Sequence, residues 1–82
     1  MDIQNGRWMP PKDTLRPGMK DNQVAWLQTT LNSFFGADLE QDASYGPKTT
    51  EAVKVFQKKY GLVVDGIFGP KSRAKMLEAM NW

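Results

Sequence analysis

The chain contains neither cysteine nor histidine. Without cysteine there is no disulfide, no thiolate nucleophile and no thiolate metal ligand. Without histidine the commonest general base near neutral pH and the commonest zinc ligand are both missing. Serine–histidine and cysteine–histidine catalysis and a histidine-bound zinc centre are thereby excluded, so no catalytic residue, no metal site and no cofactor is expected. No apolar run approaches the roughly 20 residues that span a bilayer, which argues against a membrane partner. The opening residues Met1 to Trp8 lack the apolar core of a secretory signal. Net charge is only +2 over 82 residues, far from the dense basic stripe of a nucleic-acid binder. A chain of this length has room for one modest core.

The small net charge hides an uneven distribution. Residues 1–20 carry four basic and two acidic groups, residues 21–46 four acids and no base, and residues 47–82 seven basic and three acidic groups. A mildly acidic middle is therefore followed by a mildly basic C-terminal half, a pattern that first of all describes solvated faces.

Periodicity divides the chain into a tail or linker over 1–14, interrupted by Pro10-Pro11, and an all-α, three-helix domain over 15–82. The first helix is predicted over 22–35, with Asp21 or Asn22 as N-cap. Val24, Leu27, Gln28, Leu31, Phe34 and Phe35 share one arc, and Gly36 stands where a left-handed C-cap is wanted. Trp26 points away from that arc. The second helix is predicted over 47–60 and the third over 70–80, each opened by Gly-Pro, because proline pre-sets the first helical angle. The predicted core is Val24, Leu27, Leu31, Val53, Phe56, Met76 and Leu77, with Arg73 snorkelling beside the last two.

The most informative feature is a repeat at a spacing of 23 residues. Asp42-Ala43-Ser44-Tyr45-Gly46-Pro47-Lys48-Thr49 recurs as Asp65-Gly66-Ile67-Phe68-Gly69-Pro70-Lys71-Ser72; Asp, Gly, Pro and Lys are identical, Tyr pairs with Phe and Thr with Ser. Each copy reads as a turn that launches a helix. The aspartate can bond turn amides, the aromatic residue anchors the turn in the core, and Gly-Pro starts the helix. Asp42 and Asp65 are thus expected to be turn-formers rather than an acid–base pair.

These elements, in order, resemble the peptidoglycan-binding type 1 domain family. Leu15-x-x-Gly18 leads to Val24-x-x-Leu27-Gln28-x-x-Leu31-Asn32, then to Asp42 through Gly46, Thr49 and Ala52-Val53-x-x-Phe56-Gln57, and finally to Asp65-Gly66-Ile67-Phe68-Gly69. The family usually has glycine where Asp21 and Ala43 stand, which suggests slightly altered geometry in the first turn. The resemblance covers about residues 15–80. It implies a compact, non-catalytic three-helix domain that binds cell-wall peptidoglycan and tethers a lytic enzyme to it: an amidase, muramidase, transglycosylase or peptidase, bacteriophage endolysins included. Its place of action would be the bacterial cell wall, periplasmic or extracellular. Export without a signal would then need another route, such as synthesis in a host cytoplasm for a phage protein, or the chain is a module of a longer one. The same fold also serves protein contacts in propeptides, so a protein-interaction module is the alternative.

Candidate binding residues follow from the repeat. Lys48, Lys71 and Arg73 lie in the first turns of the second and third helices, where cations oppose the helix dipole. An anion-binding role would account for that placement, because helix N-termini attract carboxylates too. With the backbone near Gly46 and Gly69 they are expected to form one cationic lip for stem-peptide carboxylates, floored by Tyr45 and Phe68. Trp26, off the apolar stripe, is either exposed and suited to the flat face of a sugar, or covered by the N-terminal tail, for instance by Trp8.

Overall fold

The computed structural model describes residues 11–81; most of the expected tail, and Trp8 with it, lies outside them. Three helices follow in order: α1 over Asn22–Phe35, α2 over Pro47–Lys59 and α3 over Pro70–Ala79. Each begins for a local reason. Asp21 caps α1, its Oδ1 accepting from the Gln23 amide at 2.8 Å. Gly46 and Gly69 are the N-caps of α2 and α3, each followed by proline in the first turn. α1 ends at Gly36, whose φ of 74° lies in the left-handed region that a glycine enters without steric cost.

The segment before α1 ties the two repeated turns into one body. Leu15 exchanges backbone hydrogen bonds with Phe68 in both directions, at 2.9 and 2.8 Å. A few residues on, Tyr45 N–H donates to the Met19 carbonyl, Gly18 N–H to the Tyr45 carbonyl and Asp21 N–H to the Ala43 carbonyl. These contacts give two isolated bridges and, among the described residues, no strand. The turns therefore sit side by side on the short run 15–21.

The core gathers Leu15, Val24, Trp26, Leu27, Leu31, Tyr45, Val53, Phe56, Phe68 and Met76. Six of these side chains are the ones that helical periodicity selects. Leu77 departs slightly: it packs at the margin, partly buried. Phe34 departs outright and is 57% exposed. Successive helical residues point about 100° apart, and Phe35 takes the inward place, its ring edge-on to Phe56 at 5.1 Å and to Tyr60 at 6.1 Å. Phe34 is turned to solvent as a result.

Trp26 is 1% exposed. Gln23, one turn earlier on the same side of α1, accepts from the amides of Lys12 and Asp13 at 2.9 and 3.2 Å. Pro11 is buried, and its carbonyl accepts from Arg73 Nη1 at 3.2 Å. Residues 11–13 thus lie against α1 and α3 instead of trailing away. With Val24, Trp26, Leu27, Gln28, Thr30 and Leu31 all buried, α1 is covered almost all round and serves as the central helix.

Candidate functional site

Both repeated turns are built on the same hydrogen-bond plan. In the first, Asp42 Oδ1 accepts from the Ser44 amide at 3.0 Å; in the second, Asp65 Oδ1 accepts from the Ile67 amide at 2.9 Å. These Asx turns hold both carboxyls below the usual carboxylate range, the turn amide being the first cause and a glutamine side chain the next. Two ionised aspartates that already accept bonds from amides have no proton to give and little basicity to offer. Tyr45 is buried and donates its hydroxyl to the Gly66 carbonyl at 2.6 Å, so the aromatic residue of one turn is fastened to the backbone of the other. Burial, with the charge of Asp65 adding to it, pushes the Tyr45 phenol up, which keeps it neutral.

A buried glutamine completes each turn. Gln57 Nε2 donates towards Asp65 Oδ1, the Ile67 carbonyl and Ser72 Oγ at 3.0, 2.9 and 3.1 Å, two protons shared among three oxygens. Its Oε1 accepts from the amides of Asp65 and Gly66. Gln28 repeats this with Asp42 Oδ1, the Ser44 carbonyl and Thr49 Oγ1 at 3.1, 2.9 and 3.1 Å, and accepts from the Ala43 amide. One helix thus satisfies the backbone of the turn that launches the next, and the pair Thr49/Ser72 in the repeat marks the receiving hydroxyls.

A family described as "Putative peptidoglycan binding domain" matches residues 20–76. The chain belongs to this peptidoglycan-binding family. Among its relatives, an N-acetylmuramoyl-L-alanine amidase of Bacillus licheniformis is 54% identical over 66 residues, covering 73% of this chain and 18% of the amidase. A zinc D-Ala-D-Ala carboxypeptidase of Streptomyces albus G is 39% identical over 70 residues, covering 83% of this chain and 28% of that enzyme. The solved endolysin of Burkholderia phage AP3 superposes with a TM-score of 0.74 at 45% identity, over 78% of this chain and 24% of that one. The chain spans less than a third of the length of each.

On this peptidoglycan-binding fold the residues expected to bind differ in exposure and surroundings. Tyr45 and Phe68 are buried in the core, and Trp26 offers no ring face to a sugar. Lys48 and Lys71 are exposed but line different clefts. Lys48 shares one of about 420 Å³ with Gly46 and the first turn. Lys71 shares one of about 640 Å³ with Gly69 and the second. Arg73 is half-buried, reaches the Pro11 carbonyl and borders a third, small crevice. Lys48, Lys71 and Arg73 thus border three separate clefts.

The structure also keeps the first turn closer to the second than the replacement of glycine by Ala43 suggested. Ala43 has φ 65° and Gly66 φ 73°; the alanine adopts the glycine conformation instead of changing the turn. The glutamine staples were the feature missed from sequence. Their signal was a polar residue inside an apolar arc, Gln28 between Leu27 and Leu31.

Proposed function

We propose that this chain is a non-catalytic module that holds a cell-wall-lytic enzyme on peptidoglycan. The carrying observation is that one short stretch, spanning most of this chain, recurs in an amidase and in a D-Ala-D-Ala carboxypeptidase. Enzymes named for cleaving different bonds share this stretch, so what it gives them in common is adhesion to one polymer and not a reaction. The residues agree with that reading. The chain has no histidine or cysteine to serve as base, nucleophile or zinc ligand, and its two turn aspartates are engaged by amides.

Individually weak contacts suffice for such a role. A repetitive polymer and a tethered catalytic domain raise the effective concentration of each for the other. Peptidoglycan and an attached or associated hydrolase domain are therefore the partners, and the bacterial cell wall is the place of action. The test is sedimentation with purified sacculi: the chain should co-sediment, and neither reducing ends nor free amines should be released above a boiled-protein control. A chain left in the supernatant would refute the adhesion, and soluble fragments would refute the absence of chemistry.

A further inference from the structure

A fourth cleft, of about 330 Å³, lies between the C-terminal end of α1 and the outer face of α2, within the roughly 300–1,000 Å³ range of small-ligand sites. Leu31, Phe35, Ala52 and Phe56 line it, and its charged residues are Lys48, Glu51, Lys59 and Asp38. Along α2 the spacing Lys48, Ala52, Val55, Lys59 follows one helical face, apolar in the middle and cationic at both ends. Val55 is 60% exposed at the centre of that face, an apolar side chain in water between two lysines. The aromatic packing of Phe35 on Phe56 and Tyr60 braces the floor, so little ordering is left to be done on binding.

We propose that this cleft seats a peptidoglycan stem peptide, its carboxylates meeting Lys48 and Lys59 and its small apolar side chains lying on Phe35, Ala52 and Val55. The inference rests on the adhesive reading above and deepens it by naming the part of the polymer that is read. A stem peptide offers small methyl side chains, a carboxylate near its second residue, a C-terminal carboxylate and, where it is not cross-linked, one free amine between them. That order of charges complements a face with a lysine at each end and Glu51 between. The lengths agree as well. Lys48 and Lys59 are set about 16 Å apart along the helix axis. The extended run from the second residue of a pentapeptide to its end spans about 13 Å, a difference that flexible lysine stems cover. An uncharged glycan would leave those charges unanswered.

The experiment titrates the full chain with N-acetyl-L-Ala-γ-D-Glu-L-Lys-D-Ala-D-Ala while following its amide NMR signals. In parallel, sacculi are used intact and after an amidase has stripped the stem peptides. The proposal expects shifts concentrated at Phe35, Ala52 and Val55, and retention on intact but not on stripped sacculi. The pair Lys48→Glu with Lys59→Glu should weaken peptide binding about fivefold to tenfold, on the scale of two exposed charge contacts reversed. The charge-matched pair Arg16→Glu with Lys20→Glu, outside every cleft described, should not. Val55→Asp, at an exposed position that leaves the core intact, should weaken it similarly with an unchanged thermal midpoint. Retention on stripped sacculi with a silent cleft would overturn the proposal while leaving the adhesive function standing. Failure on intact sacculi and with the peptide would remove both.

Discussion

The two turns supply a matched pair of substitutions, Ala43→Gly and Gly66→Ala, for which the structure sets opposite signs. An L-residue in the left-handed region costs about 1–2 kcal/mol, and Ala43 stands there at φ 65°. Replacing it by glycine relieves that cost but gives back about 0.5–1 kcal/mol through the greater freedom of glycine in the unfolded chain. The net expectation is a gain of about 0.5–1 kcal/mol. Gly66→Ala reverses these terms and adds a collision. A Cβ on Gly66 would lie 2.9 Å from Thr50 Cγ2 and 3.1 Å from Lys54 Cε. The lysine end can swing away. Thr50 is held by its own hydroxyl, which donates to the Gly46 carbonyl at 3.0 Å, so moving its methyl endangers a bond worth about 0.5–1.5 kcal/mol. The loss should reach about 1–3 kcal/mol. For a domain of this size each kcal/mol moves the midpoint by roughly 4–8 °C. Thermal unfolding followed by far-ultraviolet circular dichroism should therefore show Ala43→Gly a few degrees above the parent and Gly66→Ala at least about 5 °C below it. A neutral Gly66→Ala, or a destabilising Ala43→Gly, would refute the claim that both turns share one backbone conformation.

Gln57→Leu keeps the side-chain volume but strips the partner from the Asp65 and Gly66 amides, while the Ile67 carbonyl keeps its bond from the Gly69 amide. At about 1–3 kcal/mol for the buried Gly66 amide left unpaired, the stability read from urea unfolding should fall by about that much, and a loss under about 1 kcal/mol would contradict the staple. Acid should act through the two turn aspartates. Their folded pKa values lie below the unfolded value of about 3.9, so their stabilisation is complete above that pH and is lost as pH falls through the lowered values. The double change Asp42→Asn and Asp65→Asn should lower stability at pH 7 and flatten its dependence on pH below about 4, measured as urea midpoints across pH; an unchanged slope would show that other groups govern the acid limb.

Whatever depends on neighbours in the chain was legible in the sequence. Helix bounds came from the Asp21 cap, the left-handed Gly36 and the two Gly-Pro starts, all settled within a few residues by backbone sterics and capping hydrogen bonds. The core stripes came from helical periodicity, and the 23-residue repeat announced two like turns. What the sequence could not convey was set by contacts between distant residues. Leu15 meets Phe68 across 53 positions, and Arg73 reaches the Pro11 carbonyl across 62. The fold buries Trp26, an outcome the sequence left open because periodicity gives a side chain's direction but not what stands there. Gln28 and Gln57 look like polar intrusions on apolar faces until the turns they satisfy are folded against them. Lys48, Lys71 and Arg73 occupy like positions in two like helix starts, yet packing sends them to separate clefts. A repeat fixes local geometry, and only the way its copies are docked on the rest of the chain decides which side chains share a surface.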